Sequence, residues 1–230
     1  MPMSGTPVIL DFDHTLFDTD RFFWVDVRAA VARLGVDERL WEQTYEAIWP
    51  AGYSIERHVE ALAALRSWPH PQQVLDAFDA QFADLRRYLF PDVLPFLNAA
   101  GRAGRRLVLL SFGDAGWQAY KVKASGLAGL VDEVHSTAAE GAKADLVAAL
   151  AGAAPAIAID NNPRELDAMR DRCPSLQTYR MDRVAPELAR RASDEEPGEV
   201  AYRFREARRY VDLPARHPHR SCRSLAEVPV

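Results

Sequence analysis

The sequence predicts an α/β fold in which a doubly wound parallel sheet carries an inserted α-helical domain. Short apolar runs alternate with helical patterns over residues 91–180, and such alternation is typical of parallel sheets covered on both faces. Residues 21–89 instead show helical periodicity without a convincing strand. The 230 residues suit one core domain with a smaller companion.

The first strand is the apolar run Val8-Ile9-Leu10, which ends at Asp11. Four helices are then predicted, because apolar residues recur every three or four positions. They lie at 23–34, at 37–49 with Asp37 as the N-cap, at 55–65, and between 71 and 88. We therefore expect residues 18–90 to form a helical cap, and residues 1–17 and 91–230 to form the core.

In the core, the pattern predicts four more strands and four helices. The strands are 106–111, 133–135, 156–160 and 176–179; the helices are 92–100, 115–124, 142–150 and one that begins at Asn162-Pro163 with Glu165 completing a capping box. Beyond Met181 the pattern weakens, although residues 199–211 fit a helix and 225–228 a last turn on the core. The role of residues 183–224 is left open.

Composition excludes several classes of protein. A net charge of -5 and a pI of about 5.7 argue against binding to nucleic acid through phosphate neutralisation. Cys173 and Cys222 lack the spacing of a zinc site or a disulfide framework. No apolar run is long enough to span a bilayer, and the first residues lack the pattern of a secretion signal. We expect a cytoplasmic monomer or homodimer with a small-molecule substrate.

Residues that can carry chemistry stand at the predicted strand ends. Asp11, Ser111 and Asp160 each end a strand, and Lys143 begins a helix; ligands gather at this edge of a parallel sheet. Lysine is rare in this arginine-rich chain, which gives Lys143 added weight. A carboxylate nucleophile, a divalent cation between carboxylates, and lysine, hydroxyl and backbone N–H donors suit phosphoryl transfer. Asp13 fits a proton-transfer role.

These residues resemble the motifs of the haloacid dehalogenase (HAD) superfamily. Asp11-Phe12-Asp13-His14-Thr15 resembles its DxDxT motif, Ser111 its second motif, Lys143 its third, and the acidic Asp160-Asn161 its fourth. The resemblance covers roughly residues 7–182 and includes Gln118 and Lys121. It implies a HAD-like Rossmannoid core, and the helical block is similar to the C1-type cap of the family.

The resemblance also implies a role for each residue. Asp11 would be the nucleophile and a Mg²⁺ ligand, and Asp13 the general acid and base, with its carbonyl touching the metal. Ser111 and the N–H of Phe112 would bind phosphate, and Lys143 would hold nucleophile and phosphate together. Asp160 would complete the metal site, with Asn161 acting through a water. An acid at position 13 separates phosphatases from the dehalogenases of the superfamily, which lack one there.

The fourth motif departs from many relatives, which carry a second acid where this chain has Asn161. We expect weaker metal binding from this change, with Glu165 and Asp167 as possible substitutes. Outside the motifs, simpler structural roles are preferred to functional ones. We expect Asp18 and Asp20 to be caps and solvated acids, and His14 to be structural. Phe22, Phe23 and Trp24 are expected in the core rather than on the floor of a pocket, and Arg57 and His58 on the surface rather than in contact with a substrate. His217 and His219 are expected in a flexible polar tail rather than in a metal site.

The predicted reaction is Mg²⁺-dependent hydrolysis of a small phosphomonoester through an aspartyl-phosphate. Two alternatives stay open. One is a phosphotransferase that passes the phosphoryl group to a second substrate, and the other is a non-catalytic binding or regulatory module of the same fold. The sequence does not identify the substrate.

Overall fold

The computed structural model describes residues 5–65, 71–139, 141–152, 155–185 and 202–230 of the chain. Its centre is a sheet of six parallel strands in the order β3-β2-β1-β4-β5-β6. The strands are β1 Pro7–Leu10, β2 Arg106–Phe112, β3 Glu133–Thr137, β4 Ile157–Asp160, β5 Gln177–Met181 and β6 Arg220–Cys222. The predicted doubly wound α/β class is confirmed.

The strand order places a topological switch at the middle of the sheet. The chain runs outward from β1 through β2 to β3 and then returns to the other side of β1 with β4. Such a switch opens a crevice at the carboxyl ends of the two central strands. All four residues of β1 and of β4 are buried, which fits central strands covered on both faces. The positions that follow them therefore face a preformed crevice.

Among the described residues, four helices pack against the sheet, much as predicted. They are α5 Val93–Arg102, α6 Ala115–Ala124, α7 Lys143–Ala151 and α8 Pro163–Arg172. Two begin with a side-chain cap: Asp114 accepts from the N–H of Trp117 (2.8 Å), and Asn162 accepts from the N–H of Arg164 (3.0 Å). Caps of this kind fix where each helix starts, and thus the residues next to the crevice.

The helical block stands between β1 and β2, and the division of the chain at residues 18 and 90 stays a prediction. It contains a π-helical segment Asp20–Val27 followed by α1 Arg28–Ala32, then α2 Glu38–Ile48, α3 Ile55–Leu65 and α4 Pro71–Phe82. Asp37 caps α2 as expected, since it accepts from the N–H of Leu40 (3.0 Å). The fourth helix ends earlier than predicted, and a short 3₁₀ turn, Arg86–Tyr88, follows it.

His58 is buried in the core of this block, so the expectation that it lies on the surface is wrong. The ring lies 3.8 Å from Trp41, centroid to centroid, and Nε2 donates to the carbonyl oxygen of Trp41 (2.9 Å). Burial lowers the pKa of His58 from 6.5 to about 3, so the ring is neutral near pH 7. His58 does not line the cavity and is therefore no contact for an anionic substrate, and the guanidinium of Arg57 binds the carbonyl oxygens of Ala51 and Gly52.

The C-terminal part of the chain departs most from prediction. Strand β6 was not predicted, because its three residues include no apolar run. The helix expected over 199–211 is regular only at α9 Arg208–Val211, with turns over 203–207; residues 199–201 lie outside the described ranges. We call residues 202–213 the strap.

The residues taken as a flexible polar tail are built into the fold. The backbone N–H groups of Arg216 and His217 donate to Asp167, and His219 lies between Asp167 and Thr178. That interpretation is therefore wrong. These contacts hold the chain as it enters β6, at the edge of the sheet. Among the described residues, no helix has the length and apolar character needed to cross a membrane.

Candidate active site

The two central strands bring Asp11 and Asp160 side by side. Leu10 is in register with Ile159, so the next residue of each strand falls at the same level of the sheet. The ammonium of Lys143, at the first turn of α7, donates to Asp11 Oδ1 (2.7 Å) and to Asp160 Oδ2 (2.8 Å). All three side chains are buried. The structure thus joins the predicted nucleophile, the predicted metal ligand and the predicted lysine in one cluster.

Burial and mutual repulsion shape the charges of this cluster. Burial and the neighbouring Asp160 raise the pKa of Asp11 from 3.8 to about 7, although Lys143 opposes the shift. Burial also raises the pKa of Asp160. The pKa of Lys143 rises in spite of burial, because two carboxylates stabilise its charged form. When both acids are ionised, two carboxylates face one cation, and this surplus of negative charge favours binding of a further cation.

Asp13 is held beside the cluster by three donors. Lys121 lies 2.5 and 2.8 Å from its two carboxylate oxygens, Thr19 donates at 2.7 Å, and Gln118 donates at 3.1 Å. Burial acts against ionisation of Asp13, but the Lys121 charge and these hydrogen bonds outweigh it and lower the pKa. Asp13 is therefore a carboxylate paired with the ammonium of Lys121.

A cavity of about 310 Å³ lies in front of these residues. Ser111 and Phe112 line it at the end of β2, together with Asp11, Asp13 and Lys143. Within the described part of the chain, Ser111 Oγ and Asp11 Oδ2 are buried without a hydrogen-bond partner. Buried polar atoms without a partner cost free energy unless a ligand or water satisfies them, so both atoms point to a ligand in this cavity.

The backbone just after β2 requires glycine at position 113. Gly113 has φ 132°, in the region that favours glycine, and a Cβ there would lie 2.9 Å from the Gln118 amide nitrogen. The same amide donates to the carbonyl oxygen of Phe112 (2.8 Å) and to Asp13. A side chain at position 113 would displace Gln118 and with it a support of Asp13.

The side chains of the site supply only some of the ligands that a hard cation such as Mg²⁺ needs. In the described ranges, no group of three or more His, Cys, Asp or Glu side chains is arranged to hold a metal ion. Asp11 and Asp160 supply two carboxylates, and Asp11 Oδ2 has no hydrogen-bond partner. Mg²⁺ is commonly held by one or two carboxylates and several waters. The residues present therefore fit Mg²⁺, with the carbonyl oxygen of Asp13 as the third protein ligand that the family resemblance implies.

The residues of the fourth motif and of the helix after it have different roles in the structure. Asn161 lines the cavity, and the side chain of Asn162 caps α8. Glu165 also lines the cavity and accepts from the N–H of Gly141 (2.8 Å). Asp167 does not fit as a substitute metal ligand, because its carboxylate accepts from the backbone of Arg216 and His217 and pairs with His219.

The wall opposite the strand ends is aromatic. It is formed by residues of the helical block and of α6, namely Phe22, Phe23, Tyr45, Trp49, Tyr53 and Trp117. Phe22 and Phe23 are at most 4% exposed, so they are core residues that also face the cavity, and both interpretations from the sequence apply. Trp49 lies edge-on to Phe112 (6.4 Å between centroids). The helical block therefore meets the core beside the predicted phosphate donor.

The strap completes this wall with Glu206, Arg209, Tyr210 and Leu213. Glu206 joins three parts of the molecule, because its carboxylate accepts from Trp24 Nε1 (3.0 Å) and from the Tyr45 hydroxyl, and lies 3.5 Å from His14 Nε2. Burial acts against its ionisation, but His14 and the donors outweigh this and lower the pKa of Glu206. Glu206 thus binds the strap to the helical block and to the loop after β1.

His14 and Asp20 support the same junction. His14 has φ 60°, and burial acts against its charge, but Asp20 and Glu206 raise its pKa to about 9. Asp20 accepts from the backbone N–H groups of Glu206 (2.8 Å) and Ala207 (3.0 Å), and Asp18 pairs with Arg203. His14 is structural, as expected. Asp18 and Asp20 are buried, so the expectation of solvated acids is wrong.

Sequence reasoning missed two components of the site. Lys121 was noted only as part of a resemblance, although it is one of three lysines in the chain and that scarcity was an available signal. The strap residues gave no local signal, because Glu206 and Trp24 are 182 positions apart. Their contact follows only from the three-dimensional path of the chain.

The site thus combines two buried carboxylates and a bridging lysine at the carboxyl ends of a parallel α/β sheet. The chain matches the model of the haloacid dehalogenase-like hydrolase family over residues 8–181. It belongs to this family.

Solved structures with the same fold are distant in sequence. A haloacid dehalogenase-like hydrolase from Burkholderia xenovorans superposes with a TM-score of 0.69 at 22% identity, over 97% of this chain and 94% of that chain. L-2-haloacid dehalogenase from Xanthobacter autotrophicus, with chloropropionic acid covalently bound, gives 0.66 at 19%, over 97% and 96%. A HAD hydrolase from Bacillus subtilis bound to magnesium gives 0.53 at 12%, over 97% and 96%. The search of curated proteins returned no match.

Proposed function

We propose that the protein hydrolyses a small phosphomonoester in a Mg²⁺-dependent reaction through an aspartyl-phosphate on Asp11. One observation carries the proposal. Asp11, Asp160 and Asp13 all line the cavity, and Asp13 is paired with Lys121 next to the proposed nucleophile. Displacement on carbon needs a nucleophile but no second acid, whereas ester cleavage needs a proton for the leaving oxygen. The Asp13–Lys121 pair supplies a place for that proton.

The first step forms one bond and breaks one. A carboxylate oxygen of Asp11 attacks phosphorus, the bond between phosphorus and the ester oxygen breaks, and the leaving oxygen takes a proton from the Asp13–Lys121 pair. Lys143, Ser111 and the N–H of Phe112 donate to the phosphoryl oxygens, where negative charge concentrates. Because Ser111 Oγ is buried and has no partner among the described residues, it is available for this purpose.

The second step regenerates the enzyme. The deprotonated pair takes a proton from a water molecule, the water oxygen attacks phosphorus, and the bond to Asp11 breaks to release inorganic phosphate. Asp11 and Asp160 would hold Mg²⁺, and the bound ion would supply neutralisation of phosphoryl charge. A magnesium-bound neighbour of the same fold supports this choice of cation.

Hydrolytic dehalogenation of a 2-halo acid is the second candidate. It is favoured by the fold neighbours that are L-2-haloacid dehalogenases, one of which carries chloropropionic acid covalently bound. In that reaction Asp11 would attack carbon and release halide. Asp13 argues against it, because the dehalogenases of the superfamily have no acid at that position and this chain has one that lines the cavity.

The test measures both products on the same protein. We expect Mg²⁺-dependent release of phosphate from an aryl phosphate and no chloride from L-2-chloropropionate. Asp11→Asn should abolish phosphate release, and Asp13→Asn should lower kcat by roughly 10²–10⁴-fold. Phosphate release that survives in Asp11→Asn would overturn the mechanism, and chloride release without phosphate release would establish the second candidate. Adding a sugar phosphate to the assay shows whether water or another hydroxyl accepts the group.

A further inference from the structure

We infer that the strap carries the specificity determinant of the site, with Arg209 binding a carboxylate of the substrate at the end remote from the phosphoryl group. The inference rests on the proposed function and deepens it, because it names the substrate class: a small phosphomonoester that is also a carboxylic acid. It assigns a role to a segment beyond residues 8–181, the range matched by the family.

The strap is anchored on both sides of the cavity. Toward the helical block, Arg205 pairs with Glu42 (3.1 Å) and with Glu46 (3.2 Å). Toward the sheet, the guanidinium of Arg180 donates to the carbonyl oxygens of Tyr210 (2.7 Å) and Val211 (2.9 Å). A segment fixed at both ends presents its side chains at a defined place, which is a requirement for recognition of a ligand group.

The cationic side chains of the cavity fall into two kinds. Lys121 and Lys143 are buried and already paired with the catalytic carboxylates. Arg164 and Arg209 line the cavity at its exposed side. In the described part of the chain, the guanidinium of Arg164 has no ion pair or hydrogen bond. The two lysines therefore belong to the phosphoryl end, whereas neither arginine is paired with Asp11, Asp13 or Asp160 among the described residues.

Arg209 is the better placed of the two arginines. Its Nη2 lies 2.9 Å from Glu46, a carboxylate that is 47% exposed and also binds Arg205. The other guanidinium nitrogens of Arg209 have no partner within the described ranges. The guanidinium lies 5.3 Å from the centre of the Trp49 ring, and that ring contacts Phe112 at the phosphate end. One aromatic ring thus separates Arg209 from the donor proposed for phosphate.

Size and chemistry together define the ligand. A cavity of about 310 Å³ is at the small end of the range for ligand sites, so it accommodates a small metabolite. The planar guanidinium binds a carboxylate through two parallel hydrogen bonds. A phosphomonoester with a carboxylate a few bonds from the ester oxygen satisfies both ends of the cavity at once.

The test compares two esters, 2-phosphoglycolate and ethyl phosphate, which differ in the carboxylate. We expect the Mg²⁺-loaded wild-type protein to prefer 2-phosphoglycolate through a lower KM. Arg209→Gln should raise KM for 2-phosphoglycolate roughly 10- to 100-fold, the effect of losing a hydrogen bond to a charged group, with KM for ethyl phosphate changed less than twofold. Arg209→Lys should recover part of the loss, because it restores the charge without the planar geometry.

Arg208→Gln is the matched control. Arg208 is the neighbour of Arg209 on the same strap, but it does not line the cavity and makes none of the contacts that anchor the strap. We expect it to leave the ratio of the two KM values unchanged. The inference is overturned if Arg209→Gln weakens both esters equally, if both arginine variants act alike, or if the wild-type protein does not distinguish the esters. In each case turnover of ethyl phosphate still supports the proposed function. Absence of turnover of both esters and of an aryl phosphate overturns the proposed function and this inference with it.

Discussion

The cavity has two walls that differ in chemistry and in construction. The core wall consists of charged side chains at strand ends, where Lys143 bridges Asp11 and Asp160. The opposite wall consists of aromatic side chains of the helical block and of strap residues such as Glu206. The sheet fixes the first wall through strand register, whereas contacts between distant segments build the second. We infer that the core wall performs the reaction and the opposite wall selects the substrate.

The largest difference between the walls is expected on removal of Lys143. Lys143→Gln leaves two buried carboxylates facing each other, which costs about 3–5 kcal/mol of stability for a broken buried pair. Activity should fall at least 10²–10³-fold, because a donor to the phosphoryl group is lost. Urea unfolding and phosphate release measure the two effects. Lys123→Gln, an exposed lysine of α6, is the control, and equal stability of the two variants would contradict this account of the core wall.

The opposite wall should respond to pH through His58, which lies behind its aromatic residues. The folded pKa of about 3 is below the ordinary value of 6.5, so the unfolded chain binds this proton more readily. The contribution of His58 to the free energy of unfolding is therefore complete above pH 6.5. It declines as pH falls toward 3, by on the order of 1 kcal/mol per pH unit. Urea unfolding at pH 7, 5 and 4 should show the difference between wild type and His58→Gln narrowing. A constant difference would show that the ring is not held neutral.

A smaller effect is expected at the junction of the strap. Glu206→Gln keeps the shape of the side chain but removes the charge that faces His14, so the free energy of unfolding should fall by about 1–3 kcal/mol. Activity should fall less than tenfold, because the core wall is intact. Glu60→Gln, an exposed residue of α3, is the control for urea unfolding and phosphate release. A loss of activity as large as that of Lys143→Gln would contradict the inference that the core wall alone performs the reaction.

The two walls also differ in how far the sequence predicts them. Asp11, Ser111 and Asp160 were located because each ends a strand, and parallel strands bring their carboxyl ends to one edge. The position of Lys143 followed from the helix that it begins. These are local signals, since a strand or a helix start is encoded within a few residues.

The strap and β6 could not be predicted in this way. Strand β6 has three residues, and only Cys222 among them is buried. Glu206 and Asp20 meet across 186 positions through backbone N–H groups, which every sequence supplies. Lys121 is intermediate, because its helix was predicted but its partner, Asp13, depends on how α6 packs against the loop after β1. Polar contacts between distant segments leave no periodic pattern, so only the fold reveals them.

The strap is separated along the chain from the residues that are proposed to carry the reaction. Every residue assigned to the reaction lies at or before position 160, and the strap begins more than 40 residues later. Substitutions in the strap can therefore alter which molecule is accepted while the spacing of the reacting groups stays intact. Descendants of such a protein could acquire new substrates through changes near the C-terminus alone, with the ancestral chemistry carried forward unchanged.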